Sequence, residues 1–567
     1  MKSKCVWICL SLYSICSIAS VRGGETIRAG EQVSPVSIGL RDFPAANGVD
    51  GFIQERLSAA NMEPSSTCRD DEFMRRVYLD VCGAIPSAKE AREFLADTRS
   101  DRRAILIDKL LKSERYADHW EVMWGDLLRE HSNAKKKEGT VPGSYREWIR
   151  KTLEQNMPYD QFAKTLITAS GSPEENPAVN FFLRDMMNRV ETVNTVSQVF
   201  MGTSMACAQC HDHPFDKWTQ DDFHGLMAFF GRTDISRSNK KNMYASSQVT
   251  ERATGDYHMG DKDANKVKKQ RDKTPGDVVD PVFAWDRSKK IASTNAHRRE
   301  SLASFVVESR QFAEVQVNRL WGNLFGRGLV EPMDDFRAKN PPSHPELLAY
   351  LTDEFVKSKF DNKHVLRLIL NSAAYQRSSL PNDSNRADKE MFSHHILRRM
   401  SSEEVFDSVL MATGFDKGIQ DLPGLVKDTA GTGKGGKKFG GNKNNMEWAA
   451  DLPTPPLAGS FMGEFNQPHR DTTVIKRDDT GSITQALEML NGKALNEAID
   501  QSPLPDQYTQ SKASVKQIVT DLYLGTLSRM PSDPEIALAS KGSESLKEWL
   551  PDLQWALLNT REFMFVK

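Results

Sequence analysis

Asp71-Glu72-Phe73-Met74-Arg75-Arg76-Val77-Tyr78-Leu79-Asp80-Val81-Cys82-Gly83-Ala84-Ile85-Pro86-Ser87 reads as a helix, a turn and the start of a second helix. Apolar residues recur at helical spacing up to Cys82, and Gly83 to Pro86 cannot continue the pattern. The same reading extends outward. It predicts helices over Asp50–Ala60, Ser87–Asp97, Arg102–Ser113, Tyr116–Arg129, Tyr145–Glu154 and Tyr159–Thr168, then a long helix over Met187–Met205. Gln220–Phe230, with Phe223, Leu226, Met227, Phe229 and Phe230, closes this first helical domain over 48–233.

Residues 234–290 are polar and predict a linker or β insert, with a short strand or strand pair over Asp277–Trp285. Helices resume over Arg298–Glu308, Phe312–Leu324, Pro345–Lys357, Lys363–Asn371 and Ser402–Thr413, which begins a second helical domain over 291–567. Ser343 and Glu346 spell a capping box for the helix at Pro345. The chain closes on Ser482–Leu490, Val515–Leu527, Asp533–Ala539 and Leu553–Arg561, the last with Asp552 as N-cap. The fold class is therefore mainly α, two helical domains with a small β-containing polar insert between them. Inside the second domain, 428–446 is Gly- and Lys-rich and reads as a disordered insert. Its near match to a phosphate-binding loop fails at Lys438, which stands where a magnesium-binding hydroxyl is needed.

With 75 Lys+Arg against 77 Asp+Glu, charge supplies no reason to expect nucleic acid as a partner. Lys2 and Lys4, an uncharged run to Val21, and Ser17-Ile18-Ala19 predict a signal peptide over 1–23, followed by a flexible lead-in over 24–47. The uncharged run is short and flanked by positive charge on both sides, which argues against a membrane anchor. The expected product is exported, periplasmic or extracellular, with no membrane span after cleavage. It keeps Cys68, Cys82, Cys207 and Cys210, and Cys68 and Cys82 are spaced so that a local disulfide is open to them.

Ala206-Cys207-Ala208-Gln209-Cys210-His211-Asp212-His213-Pro214-Phe215-Asp216 holds the densest set of sulfur and imidazole ligands. Cys-x-x-Cys-His is the attachment pattern of c-type haem: two thiols on one helical face and an adjacent imidazole for the iron. Under this reading Cys207 and Cys210 anchor the group and His211 is the proximal ligand, with His224 or Met227 as sixth-ligand candidates. A zinc set of Cys207, Cys210, His213 and His224 stays open, as does a disulfide. A thioredoxin-like reading lacks the βαβ pattern it needs. Asp212, His213 and Asp216 are candidates to hydrogen-bond and orient the ligands, or form an exposed acidic turn. His344, His394 and His395 read as structural, and no Ser-His-Asp or His-Glu-x-x-His signature is present.

Asp71 to Asp80 with Gly83 and Pro86, and Cys207 to Asp216, resemble the first domain of the planctomycete cytochrome-c-like family. That domain of unknown function carries the Cys-x-x-Cys-His motif and is joined to a C-terminal companion domain, also of unknown function. Segments similar to the companion are Val317–Val330, Asp334–Phe336, Ser343–Leu348, Gln467–Arg470, Lys476–Arg477, Gln485–Gly492 and Trp555–Phe563. Thr472, Thr473 and Val474 stand where many relatives have a cysteine. The expected function is an exported haem protein for electron transfer or haem-linked redox chemistry, serving a redox partner protein. The alternative is a zinc- or disulfide-stabilised protein binding a cell-surface polysaccharide or a partner protein.

Overall fold

In the computed structural model, the helix predicted at Asp71–Cys82 runs from Asp70 to Cys82, and every residue from Phe73 to Cys82 is buried. The described residues are 48–131, 144–185, 188–237, 247–258, 278–292, 297–415, 448–456 and 459–567. The signal peptide and lead-in expected over 1–47, and the insert expected over 428–446, lie outside them.

The longer helices are α1 (Gly48–Ala59), α2 (Asp70–Cys82), α3 (Ala88–Ala96), α4 (Arg102–Leu111), α5 (Glu114–Leu128), α6 (Ser144–Glu154), α7 (Tyr159–Ile167), α8 (Arg189–Thr195) and α9 (Gln220–Phe229). After the strands β1 (Thr233–Arg237) and β2 (Ser247–Glu251) come α10 (Arg298–Glu308), α11 (Arg310–Phe325), α12 (Pro345–Lys357) and α13 (Asn362–Leu370). Next are β3 (Arg398–Arg399), α14 (Ser402–Ala412), α15 (Ile483–Asn491), α16 (Lys493–Asp500) and α17 (Leu504–Ser511). The chain ends with α18 (Val515–Leu527), α19 (Asp533–Ala539), α20 (Leu546–Leu558) and β4 (Phe565–Val566). The protein is mainly α, with two small antiparallel pairs among the described residues: β1 with β2 (Thr233 opposite Glu251) and β3 with β4 (Arg398 opposite Val566).

Two apolar cores organise these helices, and they do not divide where the sequence does. The larger holds side chains from Val49 to Phe392, so α10 to α13 pack with the N-terminal helices. The smaller is built from Met400 to Val566. The cores exchange residues at their boundary. Leu79, Ala84 and Ile85 belong to the smaller, and Leu524 to the larger. Buried all round, α2 must satisfy its charges internally. Arg75 donates to the carbonyls of Thr526 (3.0 Å) and Phe563 (2.6 Å). Arg76 donates to those of Tyr375 (2.5 Å) and Arg377 (3.0 Å). Asp80 accepts from the Tyr375 hydroxyl and from Arg398, both at 2.7 Å. One N-terminal helix thereby holds three C-terminal segments.

Several local expectations need correction. In place of one helix over 187–205, α8 widens to a π turn over Val196–Phe200 and stops before Gly202. Gly202 has φ +56°, and a Cβ there would lie 2.6 Å from Val315 and 2.7 Å from Phe336, so the chain turns on a residue with no side chain. Ser343 is not the N-cap of α12. His344 takes that position without a side-chain cap, and Ser343 Oγ instead meets His344 Nδ1 at 3.0 Å. Asp552 lies inside α20, which tolerates Pro551 within its length. In place of the strand or strand pair expected over Asp277–Trp285, the described residues 278–285 form isolated bridges, His258 with Val278 and Val282 with Lys290. Tyr257, Phe283 and Ala284 sink into the larger core, while residues 251–255 and 286–288 are exposed.

Candidate functional site

After Gly202 the chain reaches a 3-10 turn, Ala206–Gln209. Ala208 is fully buried and pins the turn, while Cys207 and Cys210 are exposed, unbridged thiols. With three residues per 3-10 turn, positions i and i+3 eclipse, so the spacing puts both thiols on one side. His211 is exposed, and its Nδ1 lies 2.7 Å from the Asp212 carbonyl. A carbonyl only accepts, so Nδ1 is the donor, and in the neutral ring that tautomer leaves the lone pair on Nε2.

The flanking acids hold the loop. Asp212 Oδ1 accepts from the Gln220 N–H (2.9 Å) at the start of α9, and Asp216 Oδ1 from the Lys217 N–H (2.7 Å). His213 is tied by its backbone N–H to the Trp218 carbonyl (2.8 Å), and its Nδ1 accepts from the Phe215 N–H (3.3 Å). His224 and Met227 are buried on α9. His224 Nδ1 lies 2.7 Å from the Tyr257 hydroxyl, with the two rings stacked, and burial lowers its pKa. Among the described residues no three His, Cys, Asp or Glu side chains gather as a metal set, so Cys207, Cys210, His213 and His224 are not brought together. Cys68 and Cys82 are buried and unbridged, and Cys82 Sγ contacts Ser113 Oγ at 3.3 Å. For a haem held at this turn, the donor set fits: two accessible thiols on one face and an imidazole with an available Nε2. The sixth-ligand candidates on α9 are packed into the core.

A second concentration of chemistry was not legible in sequence. A cleft of about 220 Å³ opens where α2 and α5 meet β3, α14 and the strap 465–480. Behind it runs a seam of acids and arginines. Arg470 donates to Asp126 and to Glu130, both at 2.8 Å. Arg146 also reaches Glu130 (2.8 Å). Arg477 grips Asp126 (2.6 and 3.1 Å) on one side and Glu403 on the other, and Arg398 joins Asp80 to Glu404 (2.7 and 2.8 Å). Neighbouring glutamates at the start of α14 thus each share an arginine with an aspartate of α2 or α5. Gly125 makes room: a Cβ there would stand 2.4 Å from the Arg470 guanidinium.

Burial acts to raise the Glu403 carboxyl, but the charge and hydrogen bonds of Arg477 overcome it and hold the pKa down to about 2. Burial likewise opposes ionisation of Glu404, and Arg398 brings its pKa below the usual value. His119 lines the cleft above these acids, and burial pushes its pKa down to about 4, so it is neutral near neutrality. Asp407, one turn further along α14, has only Arg115 and the Ala449 N–H to set against burial, which carries its pKa up to about 8.

Segments noted only for their resemblance, around Gly322–Gly326, Lys476–Arg477 and Gln485, converge on this cleft. Residues 48–235 match the PSCyt2 family, described as a protein of unknown function (DUF1549). Residues 298–542 match the PSD1 family, described as a protein of unknown function (DUF1553). No curated protein and no solved structure matches the chain.

Proposed function

For a chain that carries a DUF1549 domain followed by a DUF1553 domain, we propose an exported c-type haem protein serving electron transfer or haem-linked redox chemistry. Cys207 and Cys210 would hold the group and His211 would ligate its iron. The observation that carries this reading is the state of the three side chains: unbridged exposed thiols three residues apart, and an imidazole whose Nδ1 proton is committed to the Asp212 carbonyl. A backbone hydrogen bond of this kind orients a ligating imidazole and raises its basicity. When bound, haem supplies one-electron chemistry at a potential set by its axial ligands and surroundings.

This chain's own residues then do three things. Ala208 and the Trp218 carbonyl fix the turn against the core. Asp212 steers the loop through the N-terminus of α9 and places its carbonyl against His211. His224 stays packed on α9 with its Nδ1 against the Tyr257 hydroxyl. No helix among the described residues is long and apolar enough to cross a membrane.

Expression with a c-type maturation system, followed by a pyridine haemochrome spectrum, tests the proposal. The expected result is a covalent haem band that survives denaturation and is lost in Cys207→Ala and Cys210→Ala. Absence of any such band in the exported parent protein would overturn it. Metal analysis of the same sample reads the zinc alternative directly.

A further inference from the structure

Helix α15 (Ile483–Asn491) turns its most apolar side outward. Its start is fixed by a capping box between Ser482 and Gln485. Gln485 and Met489 are its buried residues, and at its far end the Trp555 indole N–H of α20 donates to the Leu490 carbonyl (3.1 Å). On the opposite side Ile483 is 80%, Leu487 53% and Leu490 41% exposed. At 3.6 residues per turn these three fall within about 60° of the helix circumference, so they make one stripe. Single exposed aliphatics are ordinary, whereas a contiguous stripe points to a contact surface. No other element among the described residues exposes more than one large apolar side chain.

Charge selects the occupant. The exposed positions of α15 are Ile483, Thr484, Ala486, Leu487, Leu490 and Asn491, all uncharged, and its one ionisable residue, Glu488, is half-buried. Charges of opposite sign flank the helix: Asp478 and Asp479 are exposed just before it, and Lys493 is exposed just after it. A second copy laid antiparallel on the stripe brings the acidic lead of each helix beside the lysine of the other. Ile483 then meets Leu490 across the axis, and Leu487 lies near it. A two-fold interface pairs residues reciprocally, so a helix acidic at one end and basic at the other complements itself. Parallel packing would set Asp478 and Asp479 against their own copies, and the same acidic lead disfavours an anionic lipid surface.

We propose that α15 is the contact face of a reversible homodimer, an antiparallel pair of α15 helices in which Asp478 and Asp479 of each copy face Lys493 of the other. Nine residues span only about 13 Å, so the pairing is weak and far from the 2,000 Å² or more, roughly, of an obligate dimer. Gln485, on the inner side of α15, lines the cleft, as do Asp478 and Asp479, so the second copy borders the cleft mouth. The assignment is independent of whether Cys207 and Cys210 carry a haem.

Sedimentation velocity of the full chain between about 1 and about 500 µM tests this, with an expected Kd on the order of 10–100 µM. Leu487→Asp should weaken association about tenfold or more. Circular dichroism and melting temperature identify variants that fold as the parent, and Ile483→Asp, at the most exposed position, replaces Leu487→Asp if that variant does not fold. Asp478→Lys with Asp479→Lys in one chain, and Lys493→Glu in another, should each weaken self-association about threefold or more, and an equimolar mixture of the two should restore it. A monomer at every concentration would overturn the proposal, and one that floats with phosphatidylcholine vesicles would assign the stripe to a lipid surface. A dimer unchanged in the folded aspartate variants, or a mixture no tighter than its separate components, would overturn it as well.

Discussion

The Cys207–His211 turn and the seam from Asp126 to Glu404 are opposites in how they hold reactive groups. On the turn the side chains are exposed and little engaged, and the backbone beneath them carries the structure. In the seam each acid meets an arginine, and many pairs join residues more than three hundred positions apart, such as Asp126 with Arg470 and Arg477. The turn can lose a side chain and keep its shape. The seam cannot, because removing one partner strands a charge away from water.

Arg470→Leu should produce the largest effect. Asp126 would keep Arg477 and Glu130 would keep Arg146, but at 2% exposure Arg470 is the central link between them. A loss of about 3–5 kcal/mol is expected, read as a lowered midpoint in urea unfolding. A midpoint within error of the parent would mean that the seam relaxes as freely as a surface.

Asp407→Asn sharpens the contrast beside the seam. The folded pKa of Asp407 is raised to about 8, above its ordinary carboxylate value, so the folded state keeps a proton that the unfolded state releases. Stability from this group is fully present below the ordinary value of 3.8 and is lost as pH rises toward about 8. Asparagine removes that loss and still accepts the Ala449 N–H. The variant should melt higher than the parent, with the gap widening as pH rises from the ordinary value of 3.8 toward about 8. Glu403 has the opposite sign. Its pKa is held down to about 2, so its contribution is present above its ordinary value of 4.5 and is lost as pH falls below that.

Cys207→Ala marks the small end. The thiol is exposed and unbridged, so the melting temperature should match the parent while covalent cofactor uptake disappears. A large fall in melting temperature would assign the turn a structural role and erase the contrast.

Most helices were legible because their signals are local. The Ser87 start of α3 closes a capping box with Glu90, and the helix predicted over Gln220–Phe230 runs Gln220–Phe229 behind a Thr219–Asp222 box. A short echo between Val77–Ser87 and Leu522–Ser532 has a structural counterpart. Each is a helix ending at a left-handed residue, Gly83 or Ser528, followed by proline and a serine that caps the next helix with a glutamate. Helices α16 and α17 went unread because they are short, and α17 buries none of its residues. The seam went unread for another reason. Asp126, Glu403, Glu404 and Arg477 have the composition of a solvated face, and nothing near them in sequence marks them as buried.

The sequence by itself determined the helical class, most helix limits, and the Cys-x-x-Cys-His turn with its exposed tail, because periodicity, caps and ligand spacing act over a few residues. Only the tertiary structure decided that α2 joins two cores, that His224 and Met227 face inward, and that the arginines of the second half neutralise the acids of the first. Those outcomes depend on which distant surfaces exclude water together. Burial is what makes a charge pair obligatory, and it is a property of the assembled fold.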